Sequence, residues 1–425
     1  MVHLNHSEKL PVKTFFYSYI NNNIYFLIGL LLSLPFGIPV YFKGIETLLS
    51  VQLISAALLL FLILPNYFAW RNIPRNSDSL LVVPFILVSL ISLAVNYYSL
   101  GIHNILSFIK YIILFSVFFV GYFCFDDEHK YTILLRGLIF GAIVGSLIFY
   151  YCFLQLLWDG ALIFKSHQIH NNLKLMAAFF GYPNKLSALY FLILLLTLTN
   201  KTINSKELLA GGLIISPFLF FALSKASTSC FLLSILFIIY LDKKMFNNNA
   251  IIITSYILVF VVFGFITGYF NNYVTSSFGP RLDLKLEVIN TLDGLNAKML
   301  LVGNAFGSVM VYLPSILLAG KEYHIGSAHD QYVEIFIKTG VLGLISFAGF
   351  WIINLTRSIM KLGKPGSEKF YDYRVIAIFL FTLLLGNFAQ ENYSAEPIAT
   401  TAYLLLGCCL RKASTICEKK LKGKE

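Results

Sequence analysis

The sequence predicts an all-α polytopic membrane protein of about twelve transmembrane helices, and three observations carry that prediction. Hydrophobic residues make up 58% of the 425 positions and charged residues only 12%, well outside the soluble globular range. Apolar runs recur from end to end, many close to the ~20 residues that carry an α-helix across a hydrocarbon core about 30 Å thick. Alternating barrel strands of about ten residues do not recur, so the crossings are read as helical.

Taken in order, the apolar runs place spans at 24–42, 47–64, 80–98, 104–125, 134–157, 185–199, 208–224, 229–241, 250–270, 340–357, 375–389 and 397–410. An even count puts both termini on one side. The loops on that side hold most of the 32 basic residues, among them Arg71 and Arg75, Lys243 and Lys244, and the tail from Arg411 to Lys424. Positive charge accumulates on cytoplasmic loops, so both termini are expected in the cytoplasm. The net charge of +11 thus reports topology and some attraction to anionic membrane lipid rather than nucleic acid binding. Lys9 and Lys13 precede the first span with no small-residue cleavage site after it, so no cleavable signal peptide is expected. The six cysteines show no CxxC spacing and read as packing residues.

Residues 1–425 therefore form one membrane domain whose main elaboration is a polar stretch at 271–339, expected on the outer face. Basic residues that the topology rule does not absorb gather on that face. Lys165 and Lys174 flank His167 and His170 in the loop after the fifth span, and Arg281, Lys285, Lys298, Lys321 and Lys338 fall in the long stretch. An anion is the natural partner of such a group.

Pro280 suits the first turn of a helix over Arg281 to Ile289, in which Arg281 and Lys285 lie four apart and can converge on one phosphate. An amphipathic helix lying on the outer leaflet would show the same pattern. His329 stands at the mouth of a span with Asp330 and Gln331 beside it, where a neutral imidazole can serve as a general base or simply sit at the interface. Lys225 is expected in a tight turn, Ser224 to Thr228, between the seventh and eighth spans; burying it unpaired would be costly, so it should meet an anion or reach the interface. Lys110 lies inside the fourth span, as a functional group at depth or a cation that snorkels outward. Gly340 and Gly343 read as close helix packing.

Acidic pairs suited to Mg²⁺ or Mn²⁺ are missing from the outer loops, since Asp126, Asp127 and Glu128 fall on the cytoplasmic side, so no metal and no cofactor is expected. Walker, GxSxG and HExxH motifs are absent, which leaves ATPase, serine hydrolase and zinc protease readings without support.

His329-Asp330, nine residues, Gly340, two residues and Gly343 resemble the outer-loop signature of bacterial O-antigen ligases and the related O-antigen polymerases. Asp330 stands where that family more often has Asn. Gly279-Pro280-Arg281 is similar to the family's arginine segment at the start of the loop, and Lys225 takes the position of a second arginine, keeping the charge but losing the bidentate fork. The resemblance implies a GT-C-like, metal-independent glycosyltransferase of the bacterial inner membrane with a periplasmic active site. Its substrate would be a glycan on undecaprenyl diphosphate, and its acceptor another lipid-linked repeat unit (polymerase) or lipid A–core (ligase), with a chain-length regulator as a possible partner. By the same resemblance His329 activates the acceptor, while Arg281, Lys225 and Lys285 hold the diphosphate; Lys110, His167, His170 and Asp330 are candidate glycan or lipid contacts. The stretch Ser327 to Glu334 and the ending with Asn387 and Leu404 to Gly407 look more like the polymerases. A transporter of anionic lipid-linked sugars is a third class, opposed by the lack of internal repeats and by the gathering of charge at one surface.

Overall fold

The computed structural model describes residues 24–34, 37–42, 45–50, 81–125, 128–158, 189–196, 203, 205–221, 225–241, 296–306, 316–318, 321–323, 330–362, 368–387 and 398–422. The architecture is helical. In chain order it runs α1 (Ile24–Ser33), β1 (Gly37–Phe42), β2 (Ile45–Ser50), α2 (Val83–Val95), α3 (Ile102–Cys124), α4 (Glu128–Trp158), α5 (residues 189–196), α6 (Ser205–Phe221) and α7 (Lys225–Leu241). It continues with α8 (Ala297–Val302), β3 (Ile316–Leu318), β4 (Lys321–Tyr323), α9 (Gln331–Met360), α10 (Glu368–Asn387) and α11 (Ile398–Lys422). Among the described residues, three helices are long and apolar enough to cross a membrane: Asn104–Phe123, Glu128–Tyr151 and Gln331–Met360.

The first expected span, 24–42, is helical only through Ser33. Pro35 and Pro39 lack the amide proton a helix needs. Gly37–Phe42 instead pairs antiparallel with Ile45–Ser50, in the register Gly37 to Ser50, so the second span, expected from 47, begins in a strand. A second short hairpin pairs Ile316 with Tyr323 inside the long polar stretch. The span expected at 250–270 lies outside the described residues.

Small residues let backbones approach, and two crossings use them. A Cβ on Gly121 of α3 would meet Leu404 O of α11, and one on Gly407 would meet Phe118 O. Gly29 of α1 and Gly137 of α4 are related in the same way, facing Leu134 O and Phe26 O.

An aromatic core joins α3, α9 and α11. Tyr403 packs edge-on to Phe115 at 5.3 Å and to Trp351 at 5.5 Å, and Phe118 meets Phe350 at 5.7 Å. Phe85 of α2 enters it against Phe347 at 5.1 Å and Tyr111 at 5.8 Å. Helix α7 lies along α10, where Ser234 and Thr382 share a buried hydrogen bond of 2.7 Å and Phe237 stacks on Phe381 at 4.1 Å. The Tyr332 hydroxyl donates to Leu384 O at 3.1 Å, which places the start of α9 beside the last turn of α10.

Candidate functional site

The start of α9 is built by Asp330. Its backbone is extended (φ −144°, ψ 120°), and Oδ1 accepts hydrogen bonds from Tyr332 N at 2.8 Å and Val333 N at 3.2 Å. Carboxylates are among the strongest N-caps and favour the positive end of the helix dipole. One oxygen of the buried Asp330 carboxylate is thus committed to the cap, which is a structural role for a residue expected to touch glycan or lipid. Asn caps as well as Asp. The departure from the family's commoner Asn therefore leaves the helix start intact.

Gln331 reaches α3, where its Nε2 donates to the Tyr111 hydroxyl at 3.2 Å; both residues are buried. Lys110 precedes Tyr111 and is half-buried, at the edge of the buried face of α3. It lies eight residues after Ile102, about 12 Å along the helix.

One turn into α9, Glu334 pairs with Lys338 at 3.1 Å, the side chains only 4% and 14% exposed. Glu four residues before Lys is the favourable order on a helix. Lys338, expected among the loop cations, therefore belongs to α9 and has its charge matched by a carboxylate.

Helix α9 breaks at Gly340, whose φ of 68° and ψ of −170° form a conformation almost confined to glycine. Gly340 is thus a conformational requirement as well as a packing residue. The break removes the α-helical partners of nearby carbonyls upstream, and the turn after α8 supplies replacements. Asn304 N donates to Ile337 O at 3.0 Å and Phe306 N to Lys338 O at 3.1 Å.

The turn at 303–306 is held from below by three side chains. Ser92 of α2 donates to Val302 O, with Lys338 O a second acceptor at 3.2 Å, and accepts from Ala305 N at 3.2 Å. Asn96 donates to Gly303 O at 3.1 Å, and Asn104 of α3 to Ala305 O at 2.9 Å. Ala305 and Phe306 both take left-handed φ values, 56° and 64°, which cost energy in residues with a Cβ. Phe306 offsets part of that cost by burial against Phe108 and Tyr111, each at 5.6 Å between ring centroids.

Of the remaining site residues, Lys225 is the first residue of α7 rather than part of a connecting turn. Helix-compatible Lys225-Ala226-Ser227-Thr228 extends the apolar run backward by a turn. His329, Arg281, Lys285, His167 and His170 lie outside the described residues.

Ser92, Asn96, Asn104 and Asn304 form the part of this site that sequence reasoning missed. The available signal was two asparagines and a serine, Asn96, Asn104 and Ser92, within or bordering apolar runs, where a polar group needs a partner.

These features define a helical protein of membrane-spanning character with a hydrogen-bonded polar cluster at one end of the bundle. No protein-family model matches the chain, and no curated protein matches its sequence.

Proposed function

We propose that the protein is a metal-independent membrane glycosyltransferase, a repeat-unit polymerase of the O-antigen type. In this reading the fold is GT-C-like with about twelve spans, both termini cytoplasmic, and residues 271–339 periplasmic at the outer face of a bacterial inner membrane. The acceptor sugar of one lipid-linked repeat attacks the anomeric carbon of another, the bond to undecaprenyl diphosphate breaks, and His329 takes the acceptor proton. Arg281, Lys225 and Lys285 stabilise the charge that develops on the departing diphosphate. A chain-length regulator would be a partner.

The observation that carries the reading is the physical meaning of the His-x10-Gly-x-x-Gly spacing. The nine residues between the Asp330 cap and the Gly340 break form a helical segment about 14 Å long, fixed at both ends, immediately after His329. That the motif's spacing coincides with a cap and a break supports reading it as one structural element.

The test is reconstitution. Purified protein in liposomes containing lipid-linked repeats should release undecaprenyl diphosphate and lengthen the glycan; absence of both from folded protein would reject the reading. A deletion strain separates polymerase from ligase, leaving core that bears one repeat in the first case and bare core in the second.

A further inference from the structure

Within the polar cluster, the Asn304 carboxamide stands apart. Both its oxygen and its nitrogen are buried, and neither has a hydrogen-bonding partner among the described residues. A buried amide left unpaired is an uncompensated loss, and in most proteins such groups find a partner. The Asn304 backbone, by contrast, is fully used: its N–H goes to Ile337 O and its carbonyl lies 3.4 Å from Asn104 Nδ2. The turn that presents the side chain is held by Ser92, Asn96 and Asn104 and continues into two residues with left-handed φ. Strain maintained by so many bonds is a mark of a positioned side chain rather than a loose one. Its backbone bond to Ile337 places it beside the α9 segment that carries the Glu334–Lys338 pair.

We propose that Asn304 is a sugar-recognition residue, its carboxamide donating to one hydroxyl and accepting from another on the glycan that the site takes. The inference rests on the glycosyltransferase reading above. A carboxamide offers a donor and an acceptor side by side and no charge, which fits adjacent pyranose hydroxyls and fits a phosphate poorly. The diphosphate is left to the cations, and Asn304 reads the sugar. Both atoms are covered in this structure, so the surroundings of the turn must open before the glycan reaches them.

The experiment uses the full chain in proteoliposomes, with undecaprenyl-diphosphate-linked glycans extracted from the host membrane as the probe. Asn304→Leu keeps the branching at Cγ, at a somewhat larger volume, and removes both polar atoms; Asn304→Asp keeps the shape and the acceptor. We expect Asn304→Leu to raise KM about tenfold or more, the scale of one lost hydrogen bond, with kcat within about threefold of wild type. Its melting temperature should hold or rise, because no bond inside the protein is lost. Asn304→Asp should raise KM less, and it decides the matter if the leucine variant does not fold. Wild-type protein that elongates nothing would overturn the glycosyltransferase reading and this inference with it. Normal elongation with KM unchanged in both variants, or a raised KM accompanied by a lowered melting temperature, would overturn the Asn304 inference alone.

Discussion

Gly303 and Gly340 share one left-handed backbone state, φ 68° in each, and lie against each other's chain. A Cβ on Gly303 would come within 2.5 Å of Thr339 N, and a Cβ on Gly340 within 2.5 Å of Val302 N. The end of α8 and the break in α9 are therefore one joint, and neither glycine can be exchanged without disturbing the other's segment.

Gly340→Ala should destabilise the protein by more than the about 1–3 kcal/mol usual for a side chain held in such a conformation, because a clash with Leu301 adds to the backbone strain. Thermal unfolding in detergent checks this. Gly303→Ala should behave alike, and the double variant should cost less than the two single effects added, since both open the same joint.

Breaking the Glu334–Lys338 pair should be costly from either side. Glu334→Gln and Lys338→Met each strand a charge that is mostly buried, and about 3–5 kcal/mol is typical for such a loss. Combining the two as Glu334→Gln/Lys338→Met should recover most of it. Unfolding free energies over the four proteins of that cycle give the answer, and additive losses would mean that the pair is not coupled.

At the helix start, Asp330→Asn should be close to neutral in stability, while Asp330→Ala should lose about 1 kcal/mol from the missing cap. Equal losses in the two variants would show that the carboxylate charge, and not the cap, is what matters there.

For the proposed reaction, His329→Ala and Arg281→Ala should each lower chain elongation by about 10²–10³, the usual effect of removing one group that stabilises a transition state. Lys225→Arg should retain activity and Lys225→Gln should lose it, because charge and not stem length is what the diphosphate requires. Glycan ladders from cells expressing equal amounts of folded protein are the readout.

The helical class, and the positions of most helices among the described residues, were legible in the sequence, because long apolar runs favour helix where water cannot satisfy the backbone. Helices α3, α4 and α6 fall within a few residues of their apolar runs. The first span was misjudged where hydropathy continues through Pro35 and Pro39, since apolar content says nothing of a missing amide proton. The break at Gly340 was hidden for a similar reason: the apolar spacing on either side runs on, and one residue's φ decides the conformation. The partner of Lys338 stood four residues upstream and was readable, but assigning Lys338 to a loop concealed the helical spacing. The anchoring of the 303–306 turn was beyond reach, because Ser92, Asn96 and Asn104 lie some two hundred residues away in the chain and only tertiary packing brings them together.

The segment between the Asp330 cap and the Gly340 break behaves as a rigid spindle with a stop at each end. Each residue in it turns the chain by about 100°. A single insertion or deletion would swing whatever precedes Asp330 a quarter-turn or more about the spindle's axis while leaving the part of α9 after Gly340 where it is. Partly exposed positions along 331–339 outside the Glu334–Lys338 pair can thus change with less effect, whereas the buried Gln331, Glu334 and Thr339 and the number of residues between cap and break are held.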